Sequence, residues 1–193
     1  MKKSRTNILF ALIAMLMAIG AASCSDDSGG SGAFSNVKNT FEKMKGSYKG
    51  QMSMPSNQRQ EVSFSIDANA NVVLTSFPMD NVMSKVYPND YQRVGYSGDA
   101  FTYSCPIDSV GLPADGQLQF VTKEDFASNR VNFSYKLKEM EHTGYMLIKT
   151  KGIYNSFMNN LTMNFIVTDL VIDNNDCSSV CPIDNYMDIA THQ

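Results

Sequence analysis

Few side chains in this 193-residue chain could do chemistry: four cysteines, two histidines and 19 carboxylates. His142 follows Glu139 and Glu141 and could act as a general base. Nucleophilic catalysis also needs a nucleophile and an orienting acid gathered in space, and no Gly-x-Ser-x-Gly elbow marks one. His142 therefore reads as a turn residue, and no residue is assigned a catalytic role. Glu124 and Asp125 are adjacent in a loop and read as solvated, not as a glycosidase pair. No glycine-rich phosphate loop is present. Asp67-Ala68-Asn69-Ala70-Asn71 imitates the start of a calcium loop. Val72 then falls where glycine is needed and Pro78 where the closing glutamate is needed, so the segment reads as a hairpin turn. Asp173-Asn174-Asn175-Asp176 could touch a cation, and reads otherwise as a solvated loop. Cys177 and Cys181 are close together in a polar stretch and are candidates for a disulfide. A zinc site on that pair would want four ligands, and with two histidines in the chain no metal or cofactor is expected. Cys105 keeps phase with Phe101, Tyr103 and Ile107 and reads as a buried free thiol.

The elements that carry these residues follow from periodicity. Lys2, Lys3 and Arg5 precede an unbroken apolar run from Ile8 to Ile19, the layout of a secretory signal over residues 1–23. The run is too short to span a bilayer as a helix, which takes about 20 apolar residues. Residues 24–32 form a Ser/Asp/Gly tether with a random-coil reach of about 15 Å. Phe34, Val37, Phe41 and Met44 recur at helical spacing after Ser35, an available N-cap, and Gly46 closes this short amphipathic helix.

From Gly46 the period becomes two. Val62, Phe64 and Ile66 alternate with polar residues, as do Val131, Phe133, Tyr135 and Leu137. Further strands are expected around Tyr48–Met54, Val72–Leu74, Phe101–Ile107, Leu118–Phe120, Tyr145–Tyr154 and Leu161–Ile172. The last of these changes phase near Asp169, which predicts a bulge. Pro106 cannot donate to a ladder, so its strand is an edge or bulges there. A short helix is predicted from Asp80 to Tyr87, with Asp80 as cap and Pro88 as stop; Glu139–Thr143 turns the chain, and the polar tail from residue 173 is expected to be loose. Eight or nine strands at hairpin spacing without βαβ alternation predict an all-β antiparallel barrel or sandwich over residues 33–193.

Ala21-Ala22-Ser23-Cys24 resembles the lipobox of a bacterial lipoprotein precursor. That resemblance implies a diacylglycerol on Cys24, cleavage before it and a mature chain held by lipid. Loss of Lys2, Lys3 and Arg5 would take the net charge from −3 to −6, which leaves no electrostatic footprint for nucleic acid. Ser25-Asp26-Asp27 is similar to the export signal of surface lipoproteins in gut Bacteroidetes. It implies placement at the outer membrane facing outward, with the periplasmic face as the alternative. Gly46-Ser47-Tyr48-Lys49-Gly50 resembles the first strand of calycin-like and lipocalin-like barrels, with Tyr48 in the place of their tryptophan. Together with Ser76-Phe77-Pro78-Met79, the whole mature chain resembles a family of gut Bacteroidetes lipoproteins of unassigned function. The fold this implies is an up-and-down barrel of about eight strands that holds one small ligand or fills its own interior. Phe64, Tyr103, Phe133, Tyr135 and Phe165 would line that interior or pack its core. Asp108-Ser109-Val110 is similar to the O-glycosylation acceptor of Bacteroidetes, which makes Ser109 a candidate site in an exposed loop. The expected role is non-catalytic binding of a small molecule, glycan or lipid at the outer membrane. The alternative is a module that docks on another envelope or host protein.

Overall fold

The computed structural model describes residues 31–55, 59–96 and 101–193. The expected signal, Cys24 with its expected lipidation, and the acidic stretch after it lie outside the described residues. In chain order the elements are α1 (Ser31–Met44), β1 (Gly46–Ser53), β2 (Arg59–Ile66), β3 (Asn71–Leu74), α2 (Asp80–Val86), β4 (Gly95–Tyr96), β5 (Tyr103–Gly111), β6 (Gln117–Thr122), α3 (Phe126–Asn129), β7 (Arg130–Leu137), β8 (Met140–Asn155), β9 (Asn160–Ile172), β10 (Asn175–Asp176) and β11 (Ile183–His192).

Eight of the strands close an antiparallel barrel in the order β1-β2-β3-β5-β6-β8-β9-β11, and β11 returns to β1. The all-β, calycin-like expectation is met. β8 is longer than the barrel is tall. Its second half pairs with β6 and its first half with β7, while β9 follows it along both halves. β7 carries β4 on its other edge and β9 carries β10, so the sheet extends past one end of the barrel as a flap.

Side-chain alternation builds these strands. In β7, Val131, Phe133, Tyr135 and Leu137 are buried and the residues between them face outward. The predicted bulge in β9 exists: Leu147 pairs with Asp169 and Ile148 with Val167, so Thr168 is the extra residue. Pro106 sits in β5 opposite Asn71, and the β5–β6 register shifts between Ile107 and Ser109. Asp67 accepts from the Asn71 amide at 2.7 Å and the Asn71 side chain at 2.8 Å, so its turn is closed from within.

Both ends of the barrel are covered. Where β1 begins, Met44 of α1 is fully buried, its carbonyl accepts from Tyr48 at 2.5 Å, and Tyr154 donates to the carbonyl of Lys43. At the other end Phe77, Met79, Val82 and Met83 are buried on and before α2. Asn81 there donates to the Ser53 carbonyl at the end of β1. No helix among the described residues is long and apolar enough to cross a membrane.

Several expectations are corrected. The helix before the barrel starts at Ser31, earlier than Ser35 and inside the expected tether. α2 receives no side-chain cap; Asp80 accepts from Tyr96 instead. The turn near Glu139 is tighter than predicted, because Lys138 and Glu139 take positive φ and β8 starts at Met140. Ser109 lies within β5, half-buried beside the bulge, not in a loop beyond the strand. The tail is not loose: β11 completes the barrel between β9 and β1. Its inward position Asn185 broke the apolar alternation; that amide is buried and donates to the Phe165 carbonyl at 3.0 Å. Cys177 and Cys181 flank a short 3-10 turn at Ser178–Val180 as free thiols, without the disulfide expected from their spacing.

Candidate functional site

The five aromatic residues expected to line an interior cavity are all buried, but only Phe64, Tyr103 and Phe165 stand on barrel strands; Phe133 and Tyr135 lie on β7, in the flap, and so cannot line the barrel. They meet other rings. Phe165 stands edge-on to Phe64, Phe77 and Tyr103 at 6.2–6.3 Å between centroids. Phe64 stacks on Tyr48 at 5.2 Å, and Tyr135 packs against Phe133, Tyr87 and the ring of His142. Phe77 is the plug at the α2 end, reaching Phe165 from above. Tyr103 carries a polar group into this core and satisfies it: Thr150 donates to its hydroxyl at 2.9 Å, and Thr122 lies 3.2 Å away. Burial raises the Tyr103 pKa far above the ordinary phenol range. These contacts are those of a core, with helices over both mouths.

Of the five, Phe133 also borders a cleft of about 510 Å³ on the flap. That volume is within the usual range for small-molecule sites, about 300–1,000 Å³. Its walls are built from the residues upward. The outward positions of β7 give Arg130, Asn132 and Ser134; the start of β8 gives Thr143 and Tyr145; the β9–β10 turn gives Asn174; and Phe101 closes one side. Gly144 supports the floor, since a Cβ there would lie 2.8 Å from the Phe133 ring and 2.3 Å from the Val171 carbonyl.

Two local devices set this geometry. Asp125 caps α3 by accepting from the Ser128 amide at 2.8 Å, and the helix then places Phe126 beside Tyr145, with centroids 5.6 Å apart. The Arg130 guanidinium lies over both rings, 4.3 Å from Tyr145 and 5.1 Å from Phe126, and its Nε donates to Asn132 at 2.9 Å. At the other wall, Asp173 and Asn174 both take positive φ in a two-residue turn between β9 and β10. Asp173 accepts from His142 Nδ1 at 2.6 Å and from the Thr143 amide at 3.0 Å. The His142 hydrogen bond, then that of Thr143, hold the Asp173 carboxyl below the ordinary carboxylate range.

His142 is thus oriented by Asp173 and not by Glu139 or Glu141, and Glu141 pairs with Lys136 instead. A His–Asp pair is two-thirds of a triad, but no described serine, threonine or cysteine side chain is bonded to the His142 ring. Its visible work is to pin the turn that carries Asn174. Cys181 is a poor nucleophile: burial, and then the carboxylates of Asp169 and Asp176, push its thiol up to about 11. Burial likewise raises the pKa of Cys105, whose thiol donates to Asn129 Oδ1. Among the described residues, no group of three His, Cys, Asp or Glu side chains is arranged to hold a metal ion.

Sequence reasoning did not single out Arg130, Asn132, Tyr145 or Phe126, and it named Asn174 only within a loop that could touch a cation. A signal existed for the first three, which occupy outward strand positions. For Asn174 there was only the local turn sequence. No family model, curated protein or solved structure matches this chain.

Proposed function

We propose that the mature protein is a lipid-anchored, non-catalytic binding protein of the outer membrane, and that its flap cleft holds a hydroxyl-rich ligand such as a glycan. The observation that carries this reading is the cleft lining. Asn132, Ser134, Thr143 and Asn174 bring amide and hydroxyl groups to the same cleft as the half-buried ring of Tyr145. Such a surface gives a sugar hydrogen bonds along its edge and an apolar face to lie on. The anchor and the surface placement rest on Cys24 and Ser25-Asp26-Asp27 and on the resemblance they carry. A packed interior with both mouths covered favours this outer cleft over a lipid carried inside the barrel.

The test is a glycan array probed with the mature chain, followed by titration of any hit into Tyr145→Ala and Asn132→Ala. Both variants should lose binding while still unfolding cooperatively as folded domains. Binding that survives both would move the site elsewhere.

A second reading, docking on another envelope or host protein, is favoured by the β8–β9 turn. Phe157 and Met158 are 78% and 71% exposed there. Their amides are fixed by Asn155 Oδ1 at 3.0 and 3.1 Å, so the two apolar side chains are held out on a rigid turn. Cross-linking in native membranes, compared between wild type and a Phe157→Ser/Met158→Ser variant, distinguishes the two readings. A partner lost only in the variant would select docking.

A further inference from the structure

Arg59, Arg93 and Arg130 differ in what balances their charge. Arg59 pairs with Asp188, and Arg93 pairs with Asp90. No described carboxylate lies within ion-pair distance of Arg130. Its guanidinium instead lies beside the rings of Tyr145 and Phe126, and its Nε is committed to Asn132. At the other wall of the cleft the Asp173 carboxylate is directed to His142 and the Thr143 amide. The ring contacts and the Asn132 hydrogen bond favour one placement of this exposed side chain. Arg130 lines the cleft, and the edge of a guanidinium matches two oxygens of a carboxylate or sulfate side by side.

We propose that this edge of Arg130 is the seat of an oxyanion, and that the ligand class of the flap cleft is an acidic saccharide: a sugar ring bearing a carboxylate or a sulfate. The inference rests on the glycan-binding reading of the cleft and narrows it. The anionic group docks on Arg130, and the ring lies towards Tyr145. Its hydroxyls then meet the amides and hydroxyls of Asn132, Ser134, Thr143 and Asn174. The chain is net acidic, so long-range attraction does not supply the selectivity; the short-range fork of Arg130 does.

The experiment is an NMR titration of the mature chain carrying Cys24→Ser with three probes: methyl glucuronide, 6-sulfated methyl glucoside and methyl glucoside. One or both anionic probes should bind at least about tenfold more tightly than the neutral one, the effect of one charge-assisted hydrogen-bonded pair. The tighter of the two identifies the carboxylate or the sulfate as the natural group. The Arg130 Nε–H resonance should shift on binding. Arg130→Gln should bring the anionic probes down to the affinity of the neutral glucoside. Arg130→Lys should retain part of the preference, since it keeps the charge without the fork. Should Arg130→Gln fail to fold, Asn132→Ala frees the guanidinium without removing it, and should weaken the anionic probes more than the neutral one. Equal affinity for all three probes, with shifts confined to the cleft, overturns the oxyanion seat and leaves the glycan cleft standing. No shift at any cleft residue overturns both.

Discussion

At the scale of the residue, the flap depends on strained turns with different chemistry. Asp173 and Asn174 suit positive φ, since their side chains tolerate the left-handed region. Lys138 and Glu139 do not, yet they adopt φ 52° and 66° in the turn that joins β7 to β8. Lys138 has a compensating contact, an ion pair with Asp90 at 3.1 Å. Glu139→Gly should therefore stabilise the protein by about 1 kcal/mol, a rise of about 2–4 °C in melting temperature for a domain of this size. Calorimetry checks it, and a lower melting temperature would show that this turn is not strained. Asp173 makes a prediction about pH. Its carboxyl is held below the usual range by His142 and Thr143, so the folded state binds its proton less readily than the unfolded state does. Its contribution is present above the ordinary carboxylate value of about 4 and is lost as pH falls through the lower, folded value. A carboxyl NMR titration should place the Asp173 midpoint below that of free aspartate, and Asp173→Asn should flatten stability across that acid window. Nothing in sequence could pair His142 with Asp173, because 31 residues and the full β8–β9 hairpin separate them. The neighbouring glutamates were the visible partners, but Glu139 lies in the turn before β8 and Glu141 pairs with Lys136.

At the scale of the element, β11 and α2 decide whether there is a closed barrel at all. β11 pairs along β9 from Ile183 to Thr191 and along β1 from Met187 to His192. A chain truncated after Val180 should lose cooperative unfolding and expose the edges of β1 and β9. Hydrogen exchange on the intact chain should find the Tyr186 and Met187 amides among the most protected. Fast exchange there would mean that the barrel is open. Phe77 fills the space under α2 against Phe165, so Phe77→Ala should cost about 3–5 kcal/mol; chemical denaturation measures it. Clean strands such as β2 and β7 were legible because each buries one face, and period two is then unavoidable. β11 was not, for two physical reasons. Its inward Asn185 is a polar residue satisfied inside the wall, and its register shifts between Met187 and Ala190, which turns Ile189 outward. A half-turn of phase hides a strand as effectively as a polar side chain does.

At the scale of the whole molecule, the barrel class was legible, and the location of the candidate site was not. Alternating aromatics announce an inner face, but sequence cannot say whether that face surrounds a void or a core. The answer depends on Phe77, Met79, Val82 and Met83 arriving from outside the strands to cover one mouth. The proposed attachment to lipid makes its own prediction. Cys24→Ser should move the protein from the membrane fraction to the soluble periplasmic fraction. Retention in membranes after that change would sink the lipoprotein assignment.

The two ends of the molecule are unlike. α1 enters beside Tyr154 near the end of β8, whereas the cleft opens around Tyr145 near its start, about 30 Å away at the rise of an extended strand. A molecule fastened through its N-terminus would stand with this rim uppermost. Neighbours in a crowded layer would press wall against wall and leave their rims at a common height. A long polymer lying over such a lawn could engage several molecules at once. Each attachment could then be weak and quickly reversed while the polymer as a whole stayed bound, because every link raises the effective concentration of the next.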